Sequence, residues 1–377
     1  MNKNLLFDNL LHIIRYNFSL KKITVLNEKR HFQLIAITLV TLISLTQFGC
    51  TNTKKSDSPP TKDTGMSTNA NLPALHAKPS PSFDAQQAMK DIVTQVGFGP
   101  RVPNSPAHEK ELEWLKTELG KYTTNVKVQA FTEPGYDGKT MQLANVIASF
   151  NPEATDRILI LTHWDSRPWA DADSLEKSKA VPAANDGGSG TAVMLELARR
   201  FKENPPPIGV DLLFDDGEDY GQTSIDDMNK YFLGAKYFVK VKDAGYLPRF
   251  AILLDMVGDK KAEFMPEGNS RERAGSFTKE IWQVAQTLGL TTFKQSPGPT
   301  IWDDHLPLLD AGIPTVDIID ADLVGARGNT LVTDPNRKYW HTTKDLPNNL
   351  STTTLGEVGK LLLYLIYERL PLTMRTL

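Results

Sequence analysis

A single cysteine in 377 residues rules out a disulfide framework within the chain. Basic residues are not in excess either: 42 Lys and Arg face 45 Asp and Glu, giving a net charge of -3 and a pI near 6.2. A nucleic-acid binder normally carries a basic footprint, and this composition excludes one. No internal repeat is apparent. The uncharged, mainly apolar run Phe32 to Phe48 falls short of the ~20 residues a membrane-spanning helix needs. What is present, 40% hydrophobic and 23% charged residues, is the make-up of a globular protein with a substantial core.

The cysteine's position is informative. Glu28-Lys29-Arg30-His31 precedes the run FQLIAITLVTLISLTQF, and Gly49-Cys50 closes it. A basic region, an apolar core and a small residue fit a secretory signal. A lone cysteine just after it resembles the lipid-attachment cysteine of bacterial lipoproteins, although Gln47-Phe48 stand where smaller or aliphatic residues are usual. The alternative is an uncleaved anchor holding the same domain outside the cytoplasm. Both readings place the protein in the cell envelope, with Cys50 as the expected lipidation site and the lipid as the membrane contact.

Residues 1–50 therefore read as a leader. Residues 51–82 are rich in Ser, Thr, Asn, Pro and Lys and nearly free of large apolar groups. Such a segment cannot bury enough surface to fold and reads as a tether. Residues 83–377 read as one catalytic domain.

Within that domain, Phe83 to Val96 and Ala107 to Leu119 carry apolar residues at helical spacing, with Gly120 stopping the second. Val126 to Phe131 and Asn145 to Phe150 read as strands. Arg157 to Thr162, Val210 to Phe214, Ala251 to Leu254 and Thr315 to Ile319 are short apolar runs, the signature of strands covered on both faces. Helical patterns fall between and after them at Thr191 to Phe201, Tyr231 to Lys240, Arg273 to Leu288 and Leu355 to Tyr367. The alternation predicts an α/β fold, a three-layer sandwich around a mixed, mostly parallel sheet.

One of these strands, in Gly209-Val-Asp-Leu-Leu-Phe-Asp-Asp-Gly-Glu-Asp-Tyr220, ends in the four carboxylates Asp215, Asp216, Glu218 and Asp219. Acids this close raise each other's pKa unless a cation or several donors meet them. A solvated turn is the alternative. In α/β sheets, however, ligands bind beyond the carboxyl ends of the strands, and other notable residues share those ends. His163-Trp-Asp165 follows one run and Asp255 another, Asn185-Asp-Gly-Gly-Ser-Gly190 opens a helix, and Trp340-His341 precedes the last helix. Imidazole and carboxylate are ligands zinc accepts, and a catalytic site wants about three of them with one position open. Asp186, Asp219 and His341 would supply two oxygens and one nitrogen, leaving Glu218 beside the metal as a free base. Asp215 and Asp216 read as turn or supporting residues. Ala170-Asp-Ala-Asp173 reads as a solvated acidic loop, with calcium binding as the alternative.

The series His-x-Asp, Asn-Asp-Gly-Gly-Ser-Gly, Asp-Gly-Glu-Asp, Leu-Asp-Met-Val-Gly, Asp-Asp-His and Trp-His-Thr resembles the zinc-dependent aminopeptidase superfamily over roughly Phe83 to Leu370. Within it, the chain is similar to the animal-type glutaminyl-peptide cyclotransferases, also found in some bacteria. That resemblance implies one catalytic zinc per chain, although the ligand inventory leaves a second metal open. It implies that Asp303, in Trp302-Asp-Asp-His305-Leu-Pro307, joins a hydrogen-bond network with Asp255 in catalysis. It places Trp340, Trp302, His163 and Asp317 around the substrate. Two departures stand out: Asp219 occupies a place where many relatives have Glu, and Asp317 one where animal enzymes have His. A proton shared among Asp255, Asp303 and Asp317 is the corresponding expectation.

The implied reaction is cyclisation of an N-terminal glutamine to pyroglutamate with release of ammonia, on peptides and proteins that begin with Gln. The alternative is an exported two-zinc aminopeptidase, in which Asp186 bridges the metals and His163 and Asp255 hold the second. A metal-stabilised binding lipoprotein without catalysis is a further alternative, and it gives Glu218 no task.

Overall fold

The structure, a computed structural model, describes residues 77–221, 228–324 and 337–373. The leader, Cys50 and nearly all of the tether lie outside the described residues. Six strands form one sheet: β1 (Val126–Pro134), β2 (Thr140–Phe150), β3 (Arg157–His163), β4 (Gly209–Asp215), β5 (Ala251–Asp255) and β6 (Thr315–Ile319). Their order is β1-β2-β4-β3-β5-β6. β2 runs antiparallel to both β1 and β4, while β4, β3, β5 and β6 pair in parallel.

Side-chain alternation along the parallel strands divides them between two cores. Ile158, Ile160, Val210, Leu212, Phe214, Ile252, Leu254, Val316 and Ile318 point into the larger core, and Leu159, Leu161, Leu213, Ala251 and Leu253 into the smaller. Helices α1 (Ala85–Phe98), α2 (Pro106–Tyr122), α3 (Gly188–Glu203), α6 (Gly275–Thr287) and α8 (Thr352–Tyr364) supply the first face. Ala235 and Phe238 of α4 (Leu233–Val241) and Leu308 of α7 (His305–Asp310) supply the second. A sheet covered on both sides is the three-layer sandwich its apolar runs predict.

All six expected strands are present. β2 begins at Thr140 rather than Asn145, because its first residues complete a hairpin in which Thr140 pairs with Pro134. Two short helices, α5 (Gly268–Arg273) and α7, fall where the sequence shows no helical periodicity, being too short to express one. The last helix ends at Tyr364 and continues as a π turn over Leu365–Arg369, followed by α9 (Leu370–Thr373). Among the described residues, no helix is long and apolar enough to cross a membrane.

The chain goes from β3 through α3 to β4 on one side, then through α4 to β5 on the other. This reversal makes β3 the switch strand of the sheet, where α/β folds open a crevice at the strands' carboxyl ends. In that register His163 pairs with Asp215, and Asp255 with Ile319.

Candidate metal centre and active site

A cavity of about 370 Å³ opens at this edge. Asp186, Glu218, Asp219, Asp255, Asp303 and His341 bring their polar groups to it, and Tyr231, Phe232, Met256, Ile301, Trp302, Ile319, Val324 and Trp340 provide the rest of its lining.

Asp186, Asp219 and His341 each offer a ligand atom within 4.8 Å of the others. His341 Nε2 lies 3.6 Å from Asp186 Oδ2 and 3.5 Å from Asp219 Oδ2. Two carboxylate oxygens and an imidazole nitrogen, all on buried residues, fit a zinc ion.

Local structure aims each ligand. The backbone N–H groups of Asn185 and Asp186 donate to the two oxygens of Asp345, at 2.9 and 3.1 Å. The chain then turns through Gly187, whose φ of +80° places it in the left-handed region; a Cβ there would stand 2.9 Å from both the Asp165 carbonyl oxygen and His163 Cε1. Arg167 Nη1 donates to Asp219 Oδ1 at 2.6 Å, leaving Oδ2 towards His341. The other edge of the same guanidinium donates to both oxygens of Asp171, at 2.9 and 2.7 Å. Asp171 Oδ1 in turn lies 3.3 Å from His341 Nδ1. A proton on Nδ1 facing Asp171 leaves the Nε2 lone pair for a metal.

The 170–173 loop is therefore not the solvated acidic loop its sequence suggests. Asp171 braces the metal triad, and Asp173 is buried, accepting from the backbone of Leu175 and Glu176 and from Thr343.

The acidic cluster separates into distinct positions. Gly217, with φ +80°, turns the chain after β4. The next two N–H groups, of Glu218 and Asp219, donate to the Asp165 carboxylate at 3.1 and 3.4 Å. Glu218 is half-buried on the cavity wall, and burial followed by the charge of Asp219 holds its carboxyl well above the usual range. Asp216 faces away from the cavity, accepting from the Ala144 N–H at 2.7 Å and pairing with His108 Nε2 at 2.9 Å. Asp215 is fully buried beside Asp304, and burial raises both carboxyls.

Two residues expected around the substrate are placed elsewhere. His163 does not line the cavity; it is buried behind it, with Nε2 3.1 Å from Asp186 Oδ1 and 3.4 Å from Asp255 Oδ1, and Nδ1 3.4 Å from Asp165 Oδ1. The end of β3 points this side chain under the turn at Gly187 rather than into open space. Asp317 is likewise buried away from the cavity, because its place on β6 faces α5 and α7. His305 Nδ1 lies 3.8 Å from Asp317 Oδ2, and His305 Nε2 lies 3.4 Å from Glu267 Oε2. Burial would raise the Glu267 carboxyl, but His305 and the N–H groups of Ile301 and Ser270 outweigh it and hold it at about 2. Burial holds Asp303 and Asp317 well above the usual range, and Asp255 raises Asp303 further while Asp303 raises Asp317.

Trp340 and Trp302 do line the cavity. Trp340 stacks on His341, with ring centroids 3.7 Å apart and planes at 23°. Trp302 sits at the mouth and is 59% exposed. Three cavity residues, Phe232, Met256 and His341, have left-handed backbones with φ of 60°, 48° and 52°. Non-glycine residues held this way concentrate at functional sites, where surrounding contacts impose the conformation.

Arg167, Asp171, Asp345 and Glu267 were not legible as site residues. An Arg or Asp in a loop is normally solvated, and nothing in the local pattern marks these as buried partners of residues up to 170 positions away.

Residues 145–366 match the sequence model of Peptidase family M28. The aminopeptidase YwaD of Bacillus subtilis (strain 168) is 26% identical over 266 residues, a match spanning 67% of this chain and 50% of that protein's length. A zinc-dependent exopeptidase from Parabacteroides distasonis has a solved structure 36% identical in sequence, with TM-score 0.72, covering 77% of this chain and 100% of its own. A Bacteroides thetaiotaomicron glutaminyl cyclase, solved with N-acetylhistamine bound, is 37% identical with TM-score 0.71, covering 77% of this chain and 99% of its own. The donor set and these relatives together imply zinc. With well over half its length matching the family model, and its fold shared with such zinc-dependent relatives, the chain belongs to peptidase family M28.

Proposed function

We propose that this protein is a glutaminyl-peptide cyclotransferase, closing the N-terminal glutamine of peptides and proteins to pyroglutamate with loss of ammonia. The observation that carries this reading is the pair Asp255 and Asp303 on the cavity wall, in the same space as Glu218 and the metal triad. Burial raises both carboxyls above their usual range, and the charge of Asp255 raises Asp303 further. Such groups suit hydrogen bonding to an amide that leaves as ammonia. The likeness to bacterial glutaminyl cyclases at 37% and 36% identity supports the reading.

Bound at Asp186, Asp219 and His341, a single zinc would supply Lewis-acid polarisation of the glutamine side-chain carbonyl. Glu218 accepts a proton from the α-amino group as that nitrogen attacks the side-chain carbonyl carbon, and returns it to the departing ammonia. Asp255 and Asp303 orient the leaving amide. Trp340 and the apolar residues around it exclude water, which the cyclisation does not consume. The substrates in this reading are Gln-initiated polypeptides met outside the cytoplasm, by a domain tethered to the membrane through lipid on Cys50.

One observation favours a second reading, an exported aminopeptidase. His163, Asp186 and Asp255 form another group whose ligand atoms lie within 4.8 Å of one another, and it shares Asp186 with the first. A shared carboxylate between two ligand sets suits a pair of metals. Incubation with one Gln-initiated and one Leu-initiated peptide, followed by mass, separates the readings. Ammonia loss from the first alone is expected. A released residue would replace the proposal with the aminopeptidase, and no change in either peptide would leave a binding protein.

A further inference from the structure

We propose that a groove beside the cavity seats the second residue of the substrate, the one following the reacting N-terminal glutamine, and selects an apolar or aromatic side chain there. This rests on the cyclotransferase reading for the identity of the first residue.

The groove has a volume of about 300 Å³ and is lined by Phe232, Lys236, Trp302, Leu306, Pro307 and Asp310. Phe232 and Trp302 also line the cavity, so the two spaces share their walls. A peptide whose first residue reacts between Glu218 and the metal triad has to lead its chain outward, and its next Cα lies only ~3.8 Å further on. The shared walls put the groove on that route.

Its chemistry is one-sided. Lys236 Nζ donates to the Tyr231 carbonyl at 2.8 Å and lies 5.6 Å from the centre of the Phe232 ring, and Asp310 pairs with Arg273 at 2.8 Å, so both charges at the groove already have partners. Between them lie a phenyl ring, an indole, a leucine and a proline. Trp302 keeps 59% of its surface exposed, and an indole left open beside a reactive cavity is a ready platform for another side chain.

The wall is also fixed relative to the chemistry. Phe232 has φ +60°, and its N–H donates to the Glu218 carbonyl at 3.2 Å. The backbone that carries this shared wall residue is thus tied to the backbone of the residue assigned as base. On the opposite side, Trp302 directly precedes Asp303.

The test uses the full zinc-loaded chain with Gln-Phe-Ala and Gln-Gly-Ala. The kcat/KM is expected to be about tenfold higher for Gln-Phe-Ala, with the difference in KM, since this contact acts on ground and transition states alike. In Trp302→Ala and in Leu306→Ser the ratio falls towards one, and the exposure of Trp302 makes its truncation compatible with folding. A ratio near one in the unchanged chain, or a tenfold ratio surviving in both variants, overturns the proposal. Binding is read separately on Glu218→Gln by tryptophan fluorescence, where the same tenfold preference is expected in Kd. Preference in that titration without ammonia release by the unchanged chain upholds the groove and defeats the cyclotransferase reading. Ammonia release without preference does the reverse, and failure to bind either peptide also overturns the groove.

Discussion

Arg167 and Asp219 form a buried ion pair at the edge of the metal triad, with Nη1 2.6 Å from Oδ1 and 3.2 Å from the Asp219 backbone carbonyl. The guanidinium takes one oxygen of the carboxylate and turns the other towards His341. Its remaining edge grips Asp171, which faces the far nitrogen of the same histidine. One planar side chain thereby fixes two of the three ligands, and its charge offsets the crowding of acids around them.

Arg167→Lys keeps the charge but loses the fork. Its affinity for zinc is expected to fall about 10–100-fold, the range for losing a partner behind a metal ligand. Competition against a chelator measures the loss, and the absorption spectrum of the cobalt-loaded chain reports altered ligand geometry. Unchanged affinity and spectrum would remove Arg167 from the site's support.

Glu218→Gln should bind zinc normally and lose turnover by about 10²–10⁴-fold, the usual contribution of a positioned acid–base group. Burial and the neighbouring Asp219 raise this carboxyl. Since the base acts deprotonated, the rate in the unchanged chain should climb with pH through a value above the ordinary carboxylate range. An acid limb centred at the ordinary value would contradict the assignment.

Metal content separates the one-zinc and two-zinc readings. His341→Ala is expected to lose the metal, whereas His163→Ala should retain one equivalent, both measured as metal per chain after dialysis. Two equivalents in the unchanged chain, falling to one in His163→Ala, would favour the aminopeptidase.

Glu111, on α2, is fully buried and neither of its carboxyl oxygens has a hydrogen-bond partner among the described residues. Burial raises it from 4.5 to about 8. Between those values the folded chain holds a proton that the unfolded chain has released, so stability falls as pH rises. Glu111→Gln should unfold much like the unchanged chain at pH 5, and be more stable at pH 8.5 by on the order of 1–3 kcal/mol. Paired thermal unfolding curves at the two pH values check the sign.

Strand positions were readable because β3, β4, β5 and β6 are buried on both faces and leave continuous apolar runs. The strand-end acids and histidines were readable because a parallel sheet collects such ends at one edge. What stayed hidden depends on contacts between distant segments. Asp345 meets the backbone of Asn185 from 160 positions away, and Arg167 reaches Asp219 from 52. Neither spacing follows a local period. His163 was legible as a strand-end histidine, but its burial behind the wall depends on the turn at Gly187. Asp317 was legible as a buried acid, yet its neighbour Glu267 belongs to a helix too short to announce itself.

The three triad residues arrive on separate loops, with Asp186 ahead of α3, Asp219 behind β4 and His341 ahead of α8. No contiguous fragment shorter than the stretch from Asp186 to His341 contains all three. A metal held by all three is therefore expected to bind only after the segments that carry them have come together. A bound ion would favour the assembled state by mass action. Chelation should consequently lower the folded chain's resistance to unfolding and proteolysis, so the proposed site would also bear on how long the folded chain lasts.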